Sequence, residues 1–151
     1  MEVRIVRAGP MRLAYAHALG ASPEEEAIER LMAWAGPRGL LESVRDYHLF
    51  GANDPPPSEP GGEYGYYFGV TVPREVEVGE GVSVRDLPEA TYAVARVRGV
   101  MGITDAWRGL YDWVGASGYR VAGHGLEELL SPLDGPVEGW AFDLWLPVEE
   151  G

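Results

Sequence analysis

Cysteine is absent from the 151-residue chain, which removes disulfides, thiolate nucleophiles and thiolate-bound metals in one step. Its basic residues are twelve scattered arginines, set against 24 acids for a formal charge of -12. That balance excludes a nucleic-acid surface, because phosphate binding needs clustered cations. No apolar run reaches the length of a membrane-spanning helix, and no charged-then-apolar leader opens the chain, so the cytoplasm is the expected compartment. There is no Gly-x-Ser-x-Gly turn, and the 21 glycines form no phosphate-cradling loop. The three histidines, His17, His48 and His124, are dispersed. His124 and Glu127 have a ligand-like spacing, but residues three apart on a strand point to opposite faces. Neither a metal nor a cofactor is expected.

What the chain does have is ordinary globular content, 46% hydrophobic and 24% charged, enough for one good core or two small halves sharing one. Its most informative stretch runs from Trp140 to Pro147. Read as a strand, it turns Trp140, Phe142, Leu144 and Leu146 one way and Ala141, Asp143 and Trp145 the other. The first row is a core row. The second sets a carboxylate beside a large aromatic, a pair that suits neither open water nor dry core. A partly dry, aromatic-walled pocket with an acid in it suits both.

The rest of the chain is readable in order. A strand from Val3 is broken near its middle by Gly9-Pro10 and resumes through Leu13 and Tyr15. Ser22-Pro23-Glu24-Glu25-Glu26 predicts a capped helix with Ala27, Ile28, Leu31, Met32 and Ala35 on one side, Trp34 near its end and Gly36-Pro37 as its stop. Strands are predicted at 47–51 and 64–72, with a proline-rich loop between them and an acidic connection over 75–81. Residues 82–98 repeat the opening layout, broken at Leu87-Pro88. Thr104-Asp105 is positioned to cap a second helix carrying Ala106, Trp107, Leu110, Trp113 and Val114 on its apolar side. A strand over 126–130, a turn at Pro132–Gly135 and the closing strand follow. Pro10 matches Pro88, Tyr15 matches Tyr92, Trp34 matches Trp113 and Phe68 matches Phe142, at the nearly constant offsets of 78, 77, 79 and 74 residues. The predicted fold is α+β: a pseudo-twofold duplication of a strand–helix–strand–strand module, with an antiparallel sheet, helices on one face and a ligand cleft on the other. One domain over 1–151 is expected, with half-repeats at about 1–74 and 82–150 joined by a linker over 75–81.

Several stretches in order carry a resemblance. They are Phe50–Pro57, Tyr64-Gly65-Tyr66-Tyr67, Leu87-Pro88 with Tyr92-Ala93-Val94, Trp107 with Leu110-Tyr111 and Trp113, Leu126-Glu127-Glu128, and Asp143–Pro147. Together they resemble the GyrI-like small-molecule-binding domains, the effector domains of bacterial transcription activators and their stand-alone versions. The resemblance implies two modules around a cleft lined by aromatics and holding a functional carboxylate. The family's acid in the penultimate strand maps onto Glu127, and its last-strand acid, usually Glu, maps onto Asp143. Relatives carry Glu after the Tyr-Gly-Tyr run where this chain has Tyr67, a departure that counts against activities needing a third acid. Leu129 stands where relatives often carry Tyr, which makes the pocket floor less polar. No helix-turn-helix precedes the domain, so direct DNA binding is not expected, and any regulator would be a separate protein; a homodimer is open.

The candidate ligand-binding residues are therefore Glu127, Asp143, Trp145, Tyr67, Gly69, Tyr92, Trp107, Tyr111 and Phe50. Gly69 is expected opposite Asp143 in the duplicated frame, leaving room for a ligand. The bland reading, glycine at a strand irregularity, stands equal to it. Trp107 and Tyr111, one helical turn apart, could line the cleft or pack on the sheet. Two functions follow. The first is a module that binds amphipathic aromatic or cationic molecules as a sensor or sequestering protein, with cation–π contacts of roughly 0.5–2 kcal/mol each. The alternative is a small hydrolase that opens strained electrophilic ligands with Glu127 as general acid/base.

Overall fold

The computed structural model describes residues 1–41, 47–79, 81–130 and 139–151; the turn expected at Pro132–Gly135 lies outside them. The fold is α+β, and the chain divides into two compact units. A middle unit spans Met11–Leu87, and a terminal unit joins Met1–Pro10 to Pro88–Gly151.

In the middle unit, β2 (Met11–Gly20), α1 (Glu24–Ala35), β3 (Leu49–Asn53), β4 (Tyr64–Thr71) and β5 (Ser83–Leu87) follow one another. The antiparallel order across the sheet is β3-β4-β2-β5. Helix α1 packs on β2 and β4. Tyr64 donates to both carboxylate oxygens of Glu24, at 2.6 and 2.7 Å, so the row Tyr64, Tyr66, Phe68 and Val70 faces the helix. Tyr67 and Gly69 face the other way. No side chain caps α1: it starts after Pro23 rather than on a Ser22 hydroxyl. Its three leading glutamates, favoured by the helix dipole, supply the start signal instead.

Partial burial, then the Glu24 hydrogen bond and charge, push the Tyr64 phenol up to about 12 from an ordinary 10. A folded pKa above the unfolded one stabilises the fold below pH 10 and loses that contribution as pH climbs toward 12. Chemical denaturation between pH 9 and 12 is expected to show this loss, and Tyr64→Phe to flatten it.

The terminal unit holds β1 (Arg4–Ala8), β6 (Ala90–Arg98), a 3-10 turn (Val100–Gly102), α2 (Ile103–Ala116), β7 (Tyr119–Val121), β8 (Leu126–Leu129) and β9 (Ala141–Glu150). Its antiparallel order is β1-β6-β9-β8, with β7 pairing further along β9. Helix α2 covers one face. Ala93, Ala95, Leu110, Val114, Leu144, Leu146 and Val148 form the core beneath it, with Trp107 and Trp113 packed against its edge. Thr104 and Asp105 lie inside the first turn of α2 and cap nothing; the 3-10 turn leads the chain in.

Three expectations change. Gly9-Pro10 does not break one strand. It separates β1 from β2, which pair with strands of different units, so residues 1–10 group with the second half-repeat rather than the first. Strand β7 gave no periodicity to read, being three residues long. The duplication is present, but its frame is shifted. Ala14 pairs Val70 and Ala16 pairs Phe68 in one unit; Ala93 pairs Leu146 and Ala95 pairs Leu144 in the other. These matched small–large pairs under each helix set Phe68 against Leu144, not Phe142. The shift of two keeps the residues of β4 and β9 on their expected faces but sets Tyr67, not Gly69, at the position of Asp143. Among the described residues no helix is long and apolar enough to cross a membrane.

Candidate functional site

Among the described residues the buried polar or charged side chains are two, Glu128 and Asp143, and they are direct cross-strand partners on β8 and β9. Burying one carboxylate is costly, and setting two on neighbouring strands more so, unless each is satisfied. Both are. Asp143 accepts hydrogen bonds from Arg96 Nε at 3.0 Å and Nη2 at 3.3 Å, and from Arg4 Nη2 at 2.8 Å. Glu128 Oε1 accepts the Trp145 indole N–H at 3.0 Å. The hydrogen bond and charge of Asp143, with a further contribution from Glu128, hold the Arg96 guanidinium above its ordinary pKa.

The ladder explains the convergence. Arg4 pairs Val94, Val94 pairs Trp145, Trp145 pairs Leu126, and Arg96 pairs Asp143. Cross-strand partners share a face, so Arg4, Tyr92, Arg96, Glu128, Asp143 and Trp145 all stand on the face away from α2. Tyr92 meets Trp145 edge-on, ring centroids 5.1 Å apart, and burial pushes its phenol pKa up. The result is a buried acid pair, an aromatic pair and two arginines on one sheet face.

Glu127 is not part of it. It pairs Leu144 of the core row and so stands on the α2 face, where its Oε2 accepts the Trp107 indole N–H at 3.1 Å. Trp107 and Tyr111 lie on that face too, ring centroids 6.2 Å apart. Trp107 packs on the core edge, while Tyr111 is largely exposed. The indole crosses directly over Gly125, leaving no space for a Cβ there. Of the expected site, Asp143, Trp145 and Tyr92 are brought together; Glu127, Trp107 and Tyr111 gather on the opposite side. Glu128, Arg4 and Arg96 complete this cluster without having been among the expected site residues. An isolated Leu-Glu-Glu-Leu run has no alternation from which to choose which glutamate faces which way; only pairing with β9 chooses.

The middle unit has its own aromatic cluster on the face away from α1. Tyr15 and Tyr67 meet edge-on at 5.4 Å, and the Arg85 guanidinium lies 4.5 Å from the Tyr67 ring centroid and 5.3 Å from that of Tyr15. Burial raises the Tyr67 phenol pKa, partly offset by Arg85. Phe50 is buried and stacks on His48 at 5.2 Å. Gly69 does not leave room for a ligand: a Cβ there would press on the Ala14 carbonyl and the Leu13 and Tyr15 side chains. Close approach of β2 to β4 is what needs the glycine.

The profile of the GyrI-like small molecule binding domain matches residues 1–149. This chain belongs to that family. No curated protein sequence matches it. Among solved structures, the GyrI-like chain is similar to the EcmrR C-terminal domain, with a TM-score of 0.75, 12% identity, and 99% of this chain and 98% of that one covered. It is also similar to SAV2435 bound to tetraphenylphosphonium, with a TM-score of 0.60, 15% identity and coverage of 99% and 94%. A third similar structure is a hydrolase from Listeria innocua, with a TM-score of 0.69, 14% identity and coverage of 98% and 92%. At such identities the likeness is one of fold.

Proposed function

We propose that this GyrI-like domain binds small aromatic molecules bearing a cationic or hydrogen-bond-donating group on the Glu128–Asp143–Trp145 face of its terminal unit, as a sensor or sequestering module. The observation that carries the reading is the buried cross-strand acid pair, Glu128 beside Asp143, next to the Tyr92–Trp145 ring pair. A domain selected only for stability gains little from two buried carboxylates, since well-packed apolar residues do as well or better. Family membership and a similar structure holding an aromatic phosphonium cation support the same reading. Glu128, not Glu127, is the acid assigned to the ligand, because it stands beside Asp143 and the Tyr92–Trp145 ring pair, whereas Glu127 lies on the helix face. The setting that fits is the cytoplasm, with a regulator protein or a second copy as the further partner.

Titration with tetraphenylphosphonium, followed by tryptophan fluorescence and calorimetry, tests it. Glu128→Gln is expected to weaken binding about tenfold or more, the worth of one charge-assisted contact, and Glu127→Gln to leave it within about twofold. The reverse pattern would overturn the assignment. A hydrolase reading draws on the hydrolase among the similar structures and on the ring-flanked Glu128. It predicts a hydrolysed product, seen by mass, from an electrophilic aromatic ligand, with turnover lost in Glu128→Gln. Tight binding without product rejects it.

A further inference from the structure

We propose that the Asp143 face selects amphoteric aromatic ligands, molecules carrying a carboxylate as well as a cationic group; the inference rests on the small-molecule reading above and names the ligand class of that site. On this face the acids are buried and the cations are not. The Asp143 side chain is 5% exposed, whereas Arg4 is 52% and Arg96 is 55% exposed. A guanidinium has five N–H donors. Arg4 commits one of them to Asp143 and Arg96 commits two, so both arginines hold donors beyond those the aspartate takes, in the forked geometry that suits a carboxylate.

Charge decides between ligand classes. Glu128 and Asp143 share this face with Arg4, Arg96 and, two residues further along β6, Arg98, so its acids do not leave it locally negative, while the chain as a whole carries -12. A simple anion is repelled by the overall field before it reaches the arginines. A simple cation is drawn in but meets two exposed guanidiniums at the face. A ligand with both charges is spared each penalty: its cationic group turns toward Glu128, its carboxylate toward Arg4 and Arg96, and its ring body toward Tyr92 and Trp145.

Rhodamine 6G and rhodamine 19 separate the classes, since they share one dye body and differ as ethyl ester and free carboxylic acid. Fluorescence polarisation is expected to show rhodamine 19 binding at least tenfold more tightly, with the preference falling to about twofold in Arg4→Gln and returning in part in Arg4→Lys. Fluorescein, an anion, is expected to bind more weakly than rhodamine 19. Equal affinities, or tighter binding of rhodamine 6G, overturn the proposal and leave the small-molecule site standing. So does a preference unchanged in Arg4→Gln, or binding of tetraphenylphosphonium with neither rhodamine bound. If none of these molecules binds, the site and the inference fail together.

Discussion

Trp145→Ala is expected to cost about 3–5 kcal/mol of stability, the range for deleting a buried tryptophan, and to abolish measurable ligand binding. Three losses coincide at that position. The indole is buried and in edge contact with Tyr92, so its removal opens a cavity and strips a ring partner. Its N–H is a donor to buried Glu128, and a buried carboxylate short of a donor costs about 1–3 kcal/mol. Its face is the proposed ligand surface. Trp145→Phe separates the contributions by keeping a ring and removing the N–H, and is expected to cost about 1–3 kcal/mol. Urea denaturation gives both values. A loss below about 1 kcal/mol for Trp145→Ala would mean that the indole is not packed as described.

The second large effect belongs to the arginine clamp. Replacing both Arg4 and Arg96 by Met leaves Asp143 buried without its two cations, and about 3–5 kcal/mol is expected to go, as for other broken buried pairs. Either substitution alone leaves one guanidinium in place and is expected to cost about 1–2 kcal/mol, because the half-exposed arginines are themselves well hydrated. Adding Asp143→Leu to the double variant tests the cause. If the penalty is the stranded charge, the triple variant recovers most of the loss; if it is lost arginine packing, the triple variant stays as unstable as the double. Denaturation midpoints of the three proteins decide.

Trp145 and Asp143, at the centre of both experiments, lie on a strand whose face assignment was legible from its residues. The alternation from Phe142 to Leu146 separated a core row from the row with Asp143 and Trp145, and Leu144 and Leu146 do lie under α2. The helices, the duplicated module and the interruptions at Gly9-Pro10 and Leu87-Pro88 were legible too, since each leaves a local mark: apolar spacing, an acidic first turn, a proline that cannot donate to a ladder; that the first interruption parts strands of different units was not. Trp107 with Tyr111 was readable as a helical pair but not as to what it faces, because helical spacing gives a side and not a neighbour.

Composition and periodicity by themselves determined the α+β class, the repeat and the face of every strand with clean alternation, because those follow from local backbone geometry and the segregation of apolar side chains. Tertiary pairing alone decided the rest. It set Glu128 rather than Glu127 beside Asp143, brought Arg4 from the start of the chain to a carboxylate near its end, and moved the repeat frame by two residues. In each case the cause is the same: strand register is a contact between distant segments, and a run such as Leu-Glu-Glu-Leu carries no internal signal of which partner it will meet.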